Sequence, residues 1–167
     1  MSGEPATFDP TPSSVGTGLA AVAALVTVGS LVGVLHGAVL AAVGAVAIPV
    51  AVQSGSRRAH AVAASFLFAG ATVAGIAGVD PVHLLVAVAS AIVAWDAGQH
   101  AIGVGTQLGR AASTWRVELA HTAGSLAVAS AVGVVAYAAF TGVSAQQTIV
   151  VVVLVLAALL LTWLLDR

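Results

Sequence analysis

The sequence contains no cysteine and no lysine, and only 7% of its 167 residues are charged. Without cysteine the chain can form no disulfide bond, no thiolate nucleophile and no cysteine-ligated metal site. Soluble domains usually carry about 25% charged residues, so the low charge content argues against a soluble globular protein. The formal net charge of −1, without a basic patch, gives no indication of a nucleic-acid partner.

The sequence also lacks the common catalytic motifs. It contains no G-x-S-x-G nucleophile turn, no H-E-x-x-H zinc motif, no phosphate-binding loop and no dinucleotide fingerprint. The short stretch Gly103-Val104-Gly105 has no third glycine at the required spacing and no strand before it. We therefore predict a protein that is not an enzyme and that has no cofactor.

Long apolar runs dominate what is present, since 60% of the residues are hydrophobic and the mean hydropathy is +1.11. A helix needs about 20 mostly apolar residues to cross roughly 30 Å of hydrocarbon. The sequence predicts an all-α, multi-pass protein of the cell (plasma) membrane, with a flexible polar N-terminal tail over 1–14 and one transmembrane domain over 15–167. Its six predicted spans cover about 15–35, 38–53, 59–78, 82–102, 117–140 and 148–165.

The arginines indicate how such a chain is threaded. With six spans, all five fall on one side: Arg57 and Arg58 between spans two and three, Arg110 and Arg116 between spans four and five, and Arg167 at the end. Loops rich in arginine and lysine stay in the cytoplasm, so we predict that both termini are cytoplasmic. The tryptophans lie near the same predicted boundaries, as an interfacial belt would: Trp95, Trp115 and Trp163.

Three glycines spaced by four, Gly29, Gly33 and Gly37, predict a smooth ridge on the first span. Small residues at this spacing let membrane helices approach closely. We expect the ridge to pack against the second or third span of the same chain. A homo-oligomer built on the same surface is the alternative.

A carboxylate and a histidine, Asp96 and His100, stand four residues apart near the end of the fourth span and therefore share one helix face. Asp96 lies roughly 21 Å into the span, counted from Val82 at about 1.5 Å per residue. An acidic residue at the bilayer centre costs about 2.5–3.5 kcal/mol, and less towards the edge. We therefore expect Asp96 to have a partner.

Polar residues recur every three or four positions beyond this pair. They predict an amphipathic cytoplasmic helix that links spans four and five. We name this set the polar window: Asp96, His100, Gln107, Arg110, Arg116, Glu118 and His121.

Several interpretations of the polar window are open. Asp96 and Glu118 can pair with Arg110 or Arg116 and fasten the hairpin at the interface, or Asp96 and His100 can relay protons. The window can also dock a cytoplasmic partner. Carboxylate–histidine sets suit iron, manganese or zinc, but a two-metal site needs a second E-x-x-H and further glutamates. We therefore predict no metal, and the candidate ligands would be Asp96, His100, Glu118 and His121.

The same region carries a family resemblance. The resemblance rests on the proline-containing start FDPTPSSVGTGLA at 8–20 and on four later blocks. These blocks are Trp95-Asp96, His100-Ala101-Ile102-Gly103, Gln107-Leu108-Gly109-Arg110 and Arg116-Val117-Glu118-Leu119-Ala120-His121. The chain resembles an uncharacterised family of small multi-pass membrane proteins from halophilic archaea. That family is often encoded beside a MoxR-type ATPase and a von Willebrand-like membrane protein. The resemblance implies an accessory role in a membrane assembly.

The resulting functional prediction is a non-enzymatic accessory or scaffold subunit of a membrane complex. Its docking surface would be the cytoplasmic 96–121 window, and its partners would be the lipid bilayer and other membrane or membrane-associated proteins. The first alternative is a small proton- or ion-coupled transporter that uses Asp96, His100, Glu118 and His121. An intramembrane metalloenzyme is a third alternative, because the ligand types are present.

Overall fold

The computed structural model describes residues 8–110 and 112–142. In these ranges the chain forms five α-helices: α1 Ser14–Ser30, α2 Leu35–Gln53, α3 Arg57–Ile76, α4 Pro81–Leu108 and α5 Trp115–Thr141. The all-α prediction is confirmed. Four of the described helices, α2 to α5, are long and apolar enough to cross a membrane, whereas α1 is a shorter apolar helix. The described residues therefore do not support a count of six spans, and the predicted sixth span, 148–165, lies outside them.

Polar side chains at the turns start three of the helices. Ser13, Ser56 and Asp80 precede α1, α3 and α4, and a side-chain oxygen of each accepts a hydrogen bond from a backbone N–H in the first turn. Such caps satisfy donors that have no partner inside the helix. Pro81, the first residue of α4, has no backbone N–H and therefore leaves no unpaired donor at this position. The sequence thus fixes these helix starts locally.

The five helices run alternately up and down. Gln53 at the end of α2 donates a 2.7 Å hydrogen bond to Thr17 at the start of α1. His60 at the start of α3 lies 3.0 Å from the carbonyl oxygen of Trp95 in the second half of α4. The starts of α1, α3 and α5 and the ends of α2 and α4 therefore meet at one end of the bundle.

All four arginines of the described residues lie at that end, which we call the arginine end. The set consists of Arg57 and Arg58 at the start of α3, Arg110 after α4, and Arg116 at the start of α5. Trp115 starts α5 at this end, Trp95 lies near the middle of α4, and both are about half exposed. The arginines are therefore distributed very unequally between the two ends of the bundle.

Glycine allows α2 and α3 to pack almost backbone to backbone. A Cβ atom added at Gly37 would lie 2.7 Å from the carbonyl oxygen of Gly70, and one added at Gly44 would lie 2.7 Å from that of Ala63. Both distances are far shorter than van der Waals contact. These glycines are therefore required by helix packing of the small-residue type.

The predicted glycine ridge is only partly realised. Gly37 lies in α2 and not in the first helix, because α1 ends at Ser30. Within the described residues, nothing lies within 4 Å of a Cβ added at Gly29 or Gly33. The turn after Ser30 breaks the four-residue spacing into two unrelated surfaces, so the prediction of one continuous packing ridge is wrong for this part of the chain.

The predicted amphipathic linker helix between spans four and five is also wrong. α4 continues without interruption to Leu108, and residues 109, 110 and 112–114 are not helical. Gly109 ends the helix with a φ of 75°, which L side chains rarely adopt. The backbone N–H of the next residue, Arg110, then donates to the carbonyl oxygen of Asp9 at 2.8 Å. The polar window is consequently divided between the end of α4 and the start of α5.

Asp9, whose carbonyl oxygen accepts this hydrogen bond, belongs to the segment 8–13, the second half of the predicted flexible tail. Pro12 in this segment is fully buried. A Cβ atom added at Gly105 of α4 would lie 2.8 Å from the carbonyl oxygen of Pro10 and 2.9 Å from Pro12. The second half of the predicted tail therefore packs on the end of α4, while residues 1–7 lie outside the described residues.

Candidate functional site

The carboxylate of Asp96 meets two residues of α5. Its Oδ2 atom lies 2.8 Å from Nε2 of His121, and the two side chains are 38% and 35% exposed. The hydroxyl of Ser125, four residues after His121, donates a hydrogen bond to the same oxygen. The expectation that Asp96 has a partner is met on the neighbouring helix.

His100 completes this group by stacking on His121. The two ring centroids are 3.8 Å apart and the planes differ by only 9°. His100 lies one helical turn after Asp96 on the same face of α4, as the spacing of four predicts. Its Nε2 atom is buried and has no hydrogen-bond partner among the described residues. We call Asp96, His100, His121 and Ser125 the acid–histidine cluster.

Glu118 forms hydrogen bonds with Ser13 and Thr114 and with no member of this cluster in the described part of the chain. It is almost completely buried, with 1% of its surface exposed. The Ser13 hydroxyl lies 2.7 Å from both carboxylate oxygens, and the Thr114 hydroxyl lies 3.2 Å from one of them. The carboxylate lies next to the first turns of α1 and α5, where the helix dipoles favour negative charge. Glu118 therefore fastens the start of α1 to the start of α5.

The hypothesis that Asp96 and Glu118 pair with arginine is wrong for the described residues. Neither carboxylate lies within ion-pair distance of Arg110 or Arg116 there. Both arginines are exposed, and the guanidinium of Arg116 lies over the ring of Trp115 at 5.1 Å. Ser13 contacts Glu118 directly, and His121 and Ser125 contact Asp96 directly. The longer arginine side chains extend to the surface instead.

Arg57 and Gln107 border the cluster on its polar side. The Arg57 guanidinium donates a 2.9 Å hydrogen bond to the amide oxygen of Gln99. Gln99 and Gln107, with His100 and His121, line a polar cavity of about 350 Å³. Gln107 itself is exposed. Polar groups from α4 and α5 thus line one small cavity at the arginine end, and Arg57 of α3 contacts one of them.

A second and mainly apolar groove runs away from the cluster between α4 and α5. Its volume is about 750 Å³, and it extends from Asp96 and His121 to Leu85 and Ala136. Only Asp96, His121 and Ser125 contribute charged or hydroxyl groups to its lining. The acid–histidine cluster therefore lies where an apolar groove meets a polar cavity.

The four candidate metal ligands are not brought together as one set. Among residues 8–110 and 112–142, no group of three or more His, Asp and Glu side chains is arranged to hold a metal ion. Glu118 directs its two oxygens to Ser13, and Asp96 directs one oxygen to His121 and Ser125. The arrangement is that of a hydrogen-bonded polar cluster.

Sequence reasoning missed the residues that contribute hydroxyl groups and one buried histidine. Ser125 could have been found, because it stands four residues after His121 on the same helix face. From the sequence, Ser13 is recognisable as a helix-capping residue but not as a partner of Glu118. His60 is fully buried, and a Cβ added at Gly98 would overlap its ring. The burial of His60 against Gly98 becomes visible only in the packing of α3 on α4.

The opposite end of the bundle carries a simpler polar pair. Asp80 lies 3.4 Å from Nδ1 of His83, and both side chains are more than 60% exposed. A hydrogen bond from the backbone N–H of Val82 lowers the pKa of Asp80 below its ordinary value. This arrangement is that of a helix cap with an exposed neighbour.

Comparison with known proteins gives a family but no activity. No curated protein and no solved structure matches the chain. A family model described as a family of unknown function, DUF7519, matches residues 10–162. The match extends from the segment that packs on α4, through all five described helices, into the apolar C-terminal run. The chain therefore belongs to the DUF7519 family of unknown function.

Proposed function

We propose that this chain is a non-enzymatic integral protein of the cell membrane, and that it serves as an accessory or scaffold subunit of a larger membrane complex. The observation that carries the proposal is the position of the arginines at one end of the apolar bundle. Four apolar helices are long enough to cross a membrane, and every arginine of the described residues lies at one end of them. A multi-pass protein with this distribution keeps its arginine end in the cytoplasm.

The topology that we propose has six spans with both termini in the cytoplasm. The apolar segment 148–165 supplies the sixth span, and Arg167 then joins the other arginines on the cytoplasmic side. Trp115 supports the assignment, because a half-exposed tryptophan at the arginine end suits a membrane interface. α1, with 17 residues, crosses together with the turn that follows it.

The docking surface that we propose is the exposed part of the polar window. Gln107, Arg110 and Arg116 are exposed there, whereas Glu118 is held by internal hydrogen bonds. Arginine with exposed tryptophan is the composition of interaction hot spots. Such a surface suits an acidic segment of a membrane-associated protein. An origin in halophilic archaea and a MoxR-type ATPase as a neighbouring component fit the resemblance noted above and belong to this proposal.

The partner is tested by affinity purification of the tagged chain from its native membrane. The test variant carries Arg110→Glu with Arg116→Glu, which reverses the charge of the proposed surface. The matched control carries His36→Glu with His83→Glu, two exposed positions at the opposite end. We expect a stoichiometric partner with the wild type and the control but not with the test variant. Equal recovery with both variants would show that docking does not use this surface.

The orientation is tested separately by chemical labelling. Because the chain has no cysteine, each introduced cysteine is a unique reporter. We expect Gln107→Cys to be protected from an impermeant maleimide in intact cells, and His36→Cys to react. The reverse pattern would place the arginine end outside.

One observation favours a second candidate, a small proton- or ion-coupled transporter. Asp96, His121 and His100 form a continuous series of titratable groups that is open to two cavities. Transport also needs access from the other side, where Thr27 and Ser90 form a 2.9 Å hydrogen bond between α1 and α4. Loss of a proton or ion flux from reconstituted vesicles in an Asp96→Asn and His100→Ala variant would favour the transporter over the scaffold.

A further inference from the structure

The helix α5 is weakly packed in the described part of the bundle. Only three of its 27 residues are buried there, Glu118, Ala129 and Ala138. Its neighbour α4 buries ten residues. The exposed face of α5 includes the large apolar side chains Val128 and Val132, which are 58% and 62% exposed. This face forms one wall of the apolar groove between α4 and α5.

The chain itself contains a segment that fits this groove in length. α5 ends at Thr141, far from the arginine end, and the apolar run 148–165 follows after residues 142–147. Helices of a bundle that are joined by about two to eight residues are usually antiparallel neighbours. The run of 18 residues would extend roughly 27 Å as a helix, against roughly 22 Å for the groove from His121 to Ala136. The segment is therefore long enough to cover the whole groove.

Charge provides an independent argument at the far end of the segment. An antiparallel course with its turn centred near residue 144 brings Arg167 about level with residue 122 of α5. Asp96 lies at this level, in contact with His121 and 38% exposed. It has no arginine partner among the described residues. The chain brings both Asp166 and Arg167 to this level, and of the two it is the Arg167 guanidinium that complements this half-exposed carboxylate.

We infer that segment 148–165 occupies the groove between α4 and α5, antiparallel to α5, and that Arg167 lies beside the acid–histidine cluster. A larger apolar cavity of about 910 Å³ lies between α2 and α3, but α5 contacts neither of these helices within the described residues. A second apolar cavity beside α4 and α5 is smaller, about 370 Å³. The segment is tethered to α5 by six residues, so it has a high effective concentration at the α5 face. The inference rests on the membrane location proposed above.

Cysteine crosslinking of the full chain in native membranes tests this arrangement. Val132→Cys is combined in turn with a cysteine at each of residues 155–158, which cover one helical turn. The control series replaces Val132→Cys with Val43→Cys, an exposed valine on the groove-forming face of α2. We expect an intramolecular crosslink in one or two members of the Val132 series and in none of the Val43 series.

Two other results would overturn the inference. Crosslinks at the dimer mass would show that a second copy fills the groove, and crosslinks confined to the Val43 series would place the segment on α2 and α3. Either result could occur while Gln107→Cys still reports a cytoplasmic arginine end, so the proposed function would survive it. The charge contact has its own readout. Arg167→Gln should lower the Tm of the purified chain, and it should have no further effect in an Asp96→Asn background.

Discussion

The contact between Ser13 and Glu118 gives the sharpest quantitative prediction. Ser13→Ala removes a hydrogen bond to a carboxylate that is 1% exposed, and such charge-assisted bonds contribute about 1.5–3 kcal/mol. The same change removes the helix cap of α1, because the Ser13 oxygen also accepts from the N–H of Gly16 at 3.0 Å. A serine cap contributes about 1 kcal/mol. We therefore expect the free energy of unfolding to fall by about 2.5–4 kcal/mol.

A matched serine separates the two contributions. Ser56 caps α3 in the same way, with a 3.2 Å hydrogen bond from the N–H of Ala59, but it has no carboxylate partner among the described residues. Ser56→Ala should therefore cost only about 1 kcal/mol. Reversible unfolding in mixed detergent micelles, followed by tryptophan fluorescence, measures both variants. A double-mutant cycle of Ser13→Ala with Glu118→Gln should show a coupling of about 1–2 kcal/mol.

The reasoning would be refuted by equal losses for the two serine variants, or by a cycle that closes within about 0.3 kcal/mol. Either result would mean that Ser13 acts as a helix cap alone. The buried Glu118 carboxylate would then be stabilised by Thr114 and the helix dipoles without the hydroxyl of the N-terminal segment.

Three further predictions concern glycine packing and one exposed carboxylate. Gly98→Ala forces a methyl group into the buried imidazole of His60 and should destabilise the protein by about 1–3 kcal/mol in thermal unfolding. The control Gly18→Ala, with open space around the added methyl group, should be neutral or stabilising. Gly37→Ala should separate α2 from α3 at a similar cost, and equal stability of Gly37→Ala and Gly29→Ala would contradict the packing described. The lowered pKa of Asp80 stabilises the fold above the unfolded pKa of about 4, and this contribution is lost as the pH falls through the lower folded pKa. Asp80→Asn should therefore flatten the stability profile in acid, and an unchanged profile would contradict the cap.

The features that follow from local sequence were predictable. The helix class and the clustering of arginines at one end depend on hydropathy and on the order of spans, and both can be obtained from the sequence alone. Asp96, His100 and His121 were recognised because helical spacing places polar groups on a shared face. The structure adds that the two helices face each other there, through the contact between Asp96 and His121.

The features that depend on distant packing were not predictable. The partner of Glu118 is Ser13, 105 residues earlier in the chain, and no periodicity connects them. The polar repeat of the window continues through Gly109, but the backbone there turns away from the helix, so the pattern predicted a linker helix that does not exist. The four-residue spacing from Gly29 to Gly37 likewise continues through a turn. Periodicity reports a surface only when the helix that carries it is continuous.

The contact between Ser13 and Glu118 also has a consequence for the order of assembly during synthesis. Because the chain is synthesised from its N-terminus, α1 is made long before the start of α5 emerges. Until Glu118 arrives, the Ser13 hydroxyl has only water and its own helix as partners. The contact can therefore form only after the first four helices have been synthesised, and it then joins the N-terminal segment to α5 in addition to α4.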